Sequence, residues 1–186
     1  EASAKAPEWD ASYPVVVAGG GATGCMAAIE AAKQGKKVLL LQAVTMLGGS
    51  SAISSGWIRA CGTKWHDARG IKDTVAAYAE DIMTYGNGTR DADKARMIAE
   101  LSGPFVNYLA SIGVEFTNEE DRANDGEKLR IVKTNGGGGA LMNKLAQAVQ
   151  AEKNITVVTN AELTDVLLDA KKEKVIGCVY TRRKKT

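Results

Sequence analysis

The chain has 186 residues, of which 45% are hydrophobic and 25% are charged, with 24 basic against 22 acidic side chains. These proportions are typical of a globular domain and exclude collagen-like, fibrous and disordered proteins. A net charge of +2 provides no basic stripe for nucleic acid, and the three cysteines form no C-x-x-C pair for zinc or haem. We therefore predict neither a metal site nor a nucleic-acid partner.

Two long stretches of the sequence, residues 11–29 and 38–58, carry no charged side chain. The second is long enough to cross a bilayer, but glycine and serine interrupt both stretches, which argues against a membrane span. Polar, glycine-rich segments without charge indicate a large ligand that is held mainly by backbone groups.

The first part of the chain is predicted to alternate strand, helix and strand. Residues 1–12 are rich in alanine without apolar periodicity and predict a flexible arm. Runs of apolar residues predict buried strands over residues 13–18 and 37–42. An alanine-rich helix over residues 24–34 lies between these strands.

The middle and the end of the chain are predicted to contain helices, two more strand regions and a hairpin. Asp91 is predicted to cap a helix, and Pro104 is predicted to open a separate short helix that ends at Ser111. The acidic residues Glu119, Glu120 and Asp121 are interpreted as part of a solvated loop. The remaining predictions are helices over 72–85, 91–102 and 140–152, strands over 114–117 and 156–159, a loop over 118–127, and a hairpin of 163–169 with 174–181.

The strongest motif, G-G-G-A-T-G over residues 19–24, lies between the first predicted strand and helix and fits the dinucleotide-binding pattern G-x-G-x-x-G. In this pattern Gly19 permits a tight turn, Gly21 lets a pyrophosphate approach the backbone, and Gly24 lets the helix pack closely. The helix N-terminus then presents N–H groups and a partial positive charge to the phosphates. The sequence therefore predicts a dinucleotide cradle.

A glutamine stands where this pattern usually has an acid. The second predicted strand ends at Gln42, a place where Asp or Glu normally accepts hydrogen bonds from the ribose hydroxyls. Because an amide keeps one acceptor and gains a donor, Gln42 is predicted to contact the ribose more weakly.

The segment that follows, G-G-S-S-A-I-S-S-G over residues 48–56, narrows the interpretation. It resembles the flavoprotein family of fumarate reductases, urocanate reductases and ketosteroid Δ1-dehydrogenases, whose stretch commonly reads G-G-N-S-x-x-S-G-G. The sequence I-G-V-E-F at residues 112–116 and the four glycines at 136–139 are similar to further signatures of that family. The resemblance implies FAD, with this loop running along its pyrophosphate to the isoalloxazine ring.

The resemblance also implies a set of FAD-contacting residues. They are Gly19, Gly21, Ala22, Thr23, Gly24, Gln42, Gly49, Ser50, Ser51, Ser55 and Gly56, with Ala161 or Glu162 as a backbone partner. Ser50 stands where relatives with covalently attached flavin have a histidine, so non-covalent FAD is expected. Trp57 replaces a frequent glycine and is expected to pack in the core. The alternatives are that its indole stacks near the flavin ring or blocks the usual flavin position. His66 is expected to be a surface or packing residue.

The implied fold class is α/β, a Rossmann-like FAD-binding domain of the glutathione-reductase type with a parallel sheet, a helical insert and a C-terminal hairpin. Residues 13–186 would form this domain incompletely, without the substrate-capping domain and the C-terminal FAD segment. The implied reaction is hydride transfer between flavin N5 and an activated alkene or its saturated product. Its catalytic residues are not identified, and the isolated chain is expected to be inactive.

The expected partners are the remainder of the flavoprotein or a complementary chain, a small enoate-like substrate and an electron-donor protein. The alanine-rich start slightly favours an exported, periplasmic or cell-surface location. Two alternative functions stay open. The chain could be a non-catalytic subunit that has lost FAD, which Gln42 and Trp57 favour, or a nicotinamide-dependent Rossmann enzyme, which the loop at 48–56 disfavours.

Overall fold

The computed structural model describes residues 8–117 and 129–182. The predicted acidic loop with Glu119, Glu120 and Asp121 lies outside the described residues, as does most of the predicted arm. The chain divides into two units, which we call the sheet unit (residues 1–47 and 148–186) and the helical unit (residues 48–147).

The described elements alternate between strands and helices along most of the chain. In order they are β1 (Val15–Ala18), α1 (Ala22–Lys33), β2 (Val38–Gln42), α2 (Gly49–Ala52), β3 (Trp57–Arg59), α3 (Lys64–Ala68), α4 (Val75–Tyr85), α5 (Ala92–Ser111), β4 (Phe116–Thr117), β5 (Ile131–Thr134), α6 (Gly137–Ala151), β6 (Ile155–Thr159), β7 (Ala161–Leu168) and β8 (Val175–Arg182). None of the helices in the described ranges is long and apolar enough to span a bilayer.

A three-stranded parallel sheet in the order β1-β2-β6 organises the sheet unit. In its register Val15 pairs with Val38, and Val38 pairs with Ile155. Every residue of the central strand β2 is buried, as predicted. The prediction of full burial is wrong for β1, where Val16 is 42% exposed. The residues of β1 alternate between half-buried and exposed, because successive side chains of a strand point to opposite faces of the sheet.

Helix α1 connects β1 to β2 and forms a βαβ unit with them, as the sequence predicted. It buries Cys25, Ala28, Ile29 and Ala32, which recur at helical spacing on one face. Three of these four side chains are small, so the helix backbone can lie close to the elements beneath it. The helix ends before Gly35, whose φ of +75° favours glycine.

Strands β7 and β8 form the predicted antiparallel hairpin at the end of the described chain. Ala161 at the start of β7 packs with Leu39 and Leu41 of β2 in one apolar cluster. On β8, the Trp9 indole lies against Gly177, where a Cβ atom would come within 2.3 Å of the ring. The absence of a side chain at Gly177 therefore makes room for Trp9.

The helical unit contains a second sheet that the sequence analysis did not predict as such. Its antiparallel order is β3-β5-β4, and its core consists of Ala60, Val106 and Val132. The strands are two to four residues long, which is too short for an alternating pattern to stand out from the surrounding loops.

Helix α5 is one continuous helix through Pro104, so the prediction of a separate helix from Pro104 to Ser111 is wrong. Proline usually disfavours helical geometry at the preceding residue through contact with its Cβ, and that residue here is Gly103, which has none. A Cβ at Gly103 would also lie 2.5 Å from the Cys61 carbonyl oxygen. The predicted N-cap at Asp91 is confirmed by its hydrogen bond from the Lys94 amide.

A buried ionic cluster joins the segment before β5 to helix α4. The Arg130 side chain is 2% exposed and donates hydrogen bonds to the carboxylates of Asp73 and Asp81. Its guanidinium lies 4.7 Å from the centre of the Tyr78 ring. Burial opposes the charged form, but the hydrogen bonds to both aspartates outweigh it and raise the pKa of Arg130 above its ordinary value. Arg130 therefore stays charged at all accessible pH values.

We predict that Arg130→Met lowers the free energy of unfolding by about 3–5 kcal/mol, because it leaves the buried carboxylate of Asp73 without its cation. Urea denaturation followed by circular dichroism measures this change. The matched control is Arg96→Met, since Arg96 makes an exposed ion pair with Glu100 and its loss is expected to leave the urea midpoint nearly unchanged. Equal midpoints for the two variants would contradict a stabilising role for the cluster.

Candidate functional site

The glycine motif forms a tight turn between β1 and α1. Gly19 has a φ of +101°, and its amide donates to the Leu41 carbonyl across the sheet at 2.8 Å. A Cβ at Gly24 would lie 1.8 Å from the Gly19 carbonyl oxygen, whereas a Cβ at Gly19 would meet no atom within 4 Å. The tight turn and the close helix packing predicted from these two glycines are therefore confirmed, and the space beside Gly19 is open.

The first turn of α1 has neither a capping side chain at its N-cap residue nor an acidic side chain of its own. Gly21 is its N-cap and has no side chain to cap the first turn, and the first turn contains no acidic residue. Residues 11–29 contain no charge at all. No acidic side chain of the first turn thus neutralises the positive end of the helix dipole, and such helix N-termini stabilise anions.

Gln42 lies beside this turn, and its amide is engaged by two backbone groups. The side chain is buried, with 7% of its surface exposed. Its Oε1 accepts a hydrogen bond from the Gly20 amide at 3.0 Å, and its Nε2 donates one to the Met46 carbonyl at 2.8 Å. Sequence reasoning assigned Gln42 to the ribose and did not foresee this link.

Besides the glycine turn and Gln42, the sheet unit contains a third segment that is predicted to contact FAD, at the start of β7. Asn160 precedes it with a φ of +54° and donates its amide to the Val44 carbonyl at 3.2 Å. Ala161 is buried against β2, while Glu162 is exposed. The structure thus collects the glycine turn, Gln42 and this segment at the carboxyl ends of three parallel strands, where open α/β sheets bind ligands.

The serine-rich segment belongs to the helical unit, where it forms the short helix α2 and a turn. Gly49 opens α2 with a φ of +51°, and Ser50 and Ser55 are exposed. The Ser54 hydroxyl donates to the Ser51 carbonyl at 2.8 Å and accepts from the Gly56 amide at 3.3 Å. The segment therefore has a defined backbone path with hydroxyl groups on its surface.

The serine-rich segment packs on the glycine run that begins α6, a contact that sequence reasoning missed. The Gly138 amide donates to the Ser54 carbonyl at 2.9 Å, and a Cβ at Gly138 would lie 2.0 Å from the Ser51 carbonyl oxygen. A Cβ at Gly56 would lie 2.0 Å from Thr134 Oγ1. The segments at residues 48–56 and 136–139 are both glycine-rich in the sequence, but their spacing does not predict that their backbones pack against each other.

Two aromatic predictions have opposite outcomes. Trp57 is 52% exposed, so the expectation of core packing is wrong. The reason is strand alternation, because Ile58 packs against the buried cluster and its neighbour Trp57 points to the other face. His66 is a buried packing residue, as expected, with Nδ1 2.7 Å from the Thr63 hydroxyl.

Comparison with known proteins identifies the family. The FAD binding domain family matches residues 14–186. A probable fumarate reductase, Ifc3, from Shewanella frigidimarina is 30% identical over 168 residues, which are 89% of this chain and 28% of that protein. The urocanate reductase of Eggerthella lenta is 30% identical over 84% of this chain and 26% of its own length.

A solved structure agrees with these relatives. The open conformation of a flavocytochrome c3 fumarate reductase superposes with a TM-score of 0.81 at 28% identity, covering 92% of this chain and 30% of that one. The chain therefore spans less than a third of the length of these relatives. With its parallel sheet and glycine turn, it belongs to the FAD binding domain family, is an FAD-binding domain of the fumarate and urocanate reductase type, and has FAD as its cofactor.

Proposed function

We propose that the chain holds FAD non-covalently for hydride transfer to or from an activated alkene. The observation that carries this proposal is the cradle formed by Gly19, Gly24 and the uncapped start of α1. The residues proposed to contact FAD are Gly19, Gly21, Ala22, Thr23, Gly24, Gln42, Gly49, Ser50, Ser51, Ser55 and Gly56, with Ala161 or Glu162 as a backbone partner.

The pyrophosphate is assigned to the turn at residues 19–24. Open space beside Gly19 lets a phosphate reach the backbone, and the first turn of α1 supplies N–H groups and a partial positive charge. No lysine or arginine is needed there, which agrees with the charge-free stretch around the motif.

The adenosine part is assigned to the ends of β2 and β6. Gln42 Oε1 accepts one hydrogen bond from the Gly20 amide, and a carbonyl oxygen has a second lone pair that a ribose hydroxyl can use. Glu162 is exposed at the start of β7, and the buried Ala161 fixes the backbone beside it.

We base the proposed reaction class on the family and on the relatives. Bound FAD supplies the hydride chemistry, while the protein supplies binding, orientation and the electrostatic environment. Fumarate and urocanate, in the names of the relatives, are both conjugated acids with a carbon–carbon double bond. We propose a substrate of this enoate-like class and an electron-donor protein. The relatives are longer than this chain, and we propose that the parts of the enzyme that it lacks are supplied by further residues or by a complementary chain.

We expect Gly24→Ala to raise the dissociation constant of FAD about tenfold or more, because the new Cβ would displace the Gly19 carbonyl and with it the turn. The measurement is a flavin fluorescence titration of the purified protein. Gly35→Ala is the matched control at the other end of α1, where a Cβ meets no atom within 4 Å. Its positive φ makes it lose stability, yet its FAD affinity is expected to stay unchanged.

If the unaltered protein binds NAD and no FAD, the nicotinamide alternative replaces this proposal. If the unaltered protein binds neither, the non-catalytic alternative replaces it. Equal FAD affinity for Gly24→Ala and the unaltered protein would show that the glycine turn is not part of the FAD-binding site.

We further predict that denaturation releases all of the flavin, because Ser50 carries a hydroxyl and cannot form the link that histidine makes in some relatives. The measurement is the absorbance of FAD in the supernatant after acid precipitation. A fluorescent protein band on a denaturing gel would instead demonstrate covalent attachment and contradict the non-covalent assignment.

A further inference from the structure

The side chain of Gln42 joins two backbone segments, the glycine turn before α1 and the segment after β2. Its Oε1 accepts from the Gly20 amide in the glycine turn, and its Nε2 donates to the Met46 carbonyl in the segment after β2. One neutral amide thus acts as acceptor on one side and donor on the other. We call this pair of hydrogen bonds the Gln42 bridge.

The segment after β2 has few other anchors. The side chains of residues 43–46 are exposed, and Met46 is 73% exposed. The Val44 carbonyl accepts from Asn160, and Leu47 packs over Gly20, where a Cβ would lie 2.3 Å from Leu47 Cδ2. The path of this segment therefore depends strongly on the bridge.

Gly20 is held from both sides. Its amide donates to Gln42, and its carbonyl accepts from the Cys25 thiol at 3.5 Å. Burial raises the pKa of Cys25 to about 11, so this thiol stays protonated and keeps its hydrogen at neutral pH. The turn that would receive the pyrophosphate is consequently positioned by two side chains before any ligand is bound.

We propose that Gln42 is a positioning residue for FAD, whose neutral amide orders the glycine turn and residues 43–47 before the cofactor binds, and that a carboxylate cannot replace it in this chain. This inference rests on the proposed FAD site. Preorganisation of this kind improves affinity because the loops lose less freedom on binding. A carboxylate would keep the bond from Gly20, but it has no hydrogen to donate to the Met46 carbonyl.

This inference runs against the family pattern. Gln42 stands where the family usually has glutamate, so the resemblance alone predicts that Gln42→Glu improves FAD binding through a stronger ribose contact. The bridge predicts the opposite, because a buried carboxylate would face the Met46 carbonyl at the distance of the present hydrogen bond, 2.8 Å.

The surroundings of Gln42 contain few groups that titrate. Its strand neighbours β1 and β6, and residues 43–47, carry no titratable side chain. On α1 the first such residue is Cys25, and on β7 it is the exposed Glu162. A glutamate placed at position 42 would therefore titrate as an almost isolated buried acid, with its pKa raised by burial and by the facing carbonyl.

The experiment compares Gln42→Glu and Gln42→Met with the unaltered protein at pH 7 and at about pH 5. FAD affinity is measured by fluorescence titration, and the urea midpoint is measured without FAD. At pH 7 both variants are expected to bind FAD roughly tenfold to a hundredfold more weakly. Toward pH 5 the protonated glutamate can donate to Met46, so Gln42→Glu recovers affinity relative to the unaltered protein and Gln42→Met does not.

The sign of the stability change follows from the raised pKa of the introduced acid. Its stabilising protonated form is present at low pH and is lost as the pH rises through the pKa in the folded state. The urea midpoint of Gln42→Glu should therefore fall between pH 5 and pH 7 relative to the unaltered protein. Gln147→Glu, at an exposed position on α6, is the control with the same charge change, and no such fall is expected for it.

The outcomes separate this inference from the proposed function. If the unaltered protein binds no FAD, the proposed function fails and the positioning of FAD by Gln42 fails with it, while the urea midpoints still test the bridge. If the unaltered protein binds FAD and Gln42→Glu binds it equally or more tightly at pH 7, the inference alone is overturned. It is also overturned if Gln42→Glu shows no recovery toward pH 5. If Gln42→Met does not fold, the inference is tested by the FAD affinity and the urea midpoint of Gln42→Glu at pH 5 and pH 7.

Discussion

The close approach of the α1 backbone to the turn before it is the constraint on which the sheet unit depends. Gly24 leaves no room for a Cβ beside the Gly19 carbonyl, so the helix begins directly against the end of β1. From this start α1 buries a narrow face of mostly small side chains, and the chain returns to β2, which pairs with β1 in parallel. The same geometry places the N-terminus of α1 directly after the end of β1, and this is where we propose that the FAD pyrophosphate binds.

Glycines also allow close backbone contacts in the helical unit. Gly56, Gly103 and Gly138 each occupy a place where a Cβ would meet a neighbouring atom at 2.5 Å or less. Two of these glycines bring the serine-rich segment against the start of α6, and the third lets α5 pass the Cys61 carbonyl while it accommodates Pro104. The many glycines of this chain thus serve close backbone packing as well as ligand approach.

Buried polar groups set a second constraint, because each must find a partner. Arg130 is held by Asp73 and Asp81, and its charge is stable there because two carboxylates surround it. The buried side chain of Gln42 also finds partners, but without a charge. Its amide accepts a hydrogen bond from the Gly20 N–H and donates one to the Met46 carbonyl. A neutral side chain thereby links the glycine turn to the segment after β2.

The resemblance of residues 48–56 to a known flavoprotein family implied the FAD-binding class. The amino-acid sequence predicted the βαβ unit, the β7–β8 hairpin and the roles of Gly19 and Gly24, because these depend on local patterns of apolar residues and glycine. It did not determine the hydrogen bond of Gln42 to Gly20, the contact of the two glycine-rich segments or the ion pairs of Arg130, because these join residues that are distant in sequence. The predictions that Trp57 packs in the core and that Pro104 opens a separate helix are wrong. The side of a three-residue strand that is buried depends on packing partners that are distant in sequence. The continuation of α5 through Pro104 has a local reason instead, because the preceding Gly103 has no Cβ to clash with the proline ring.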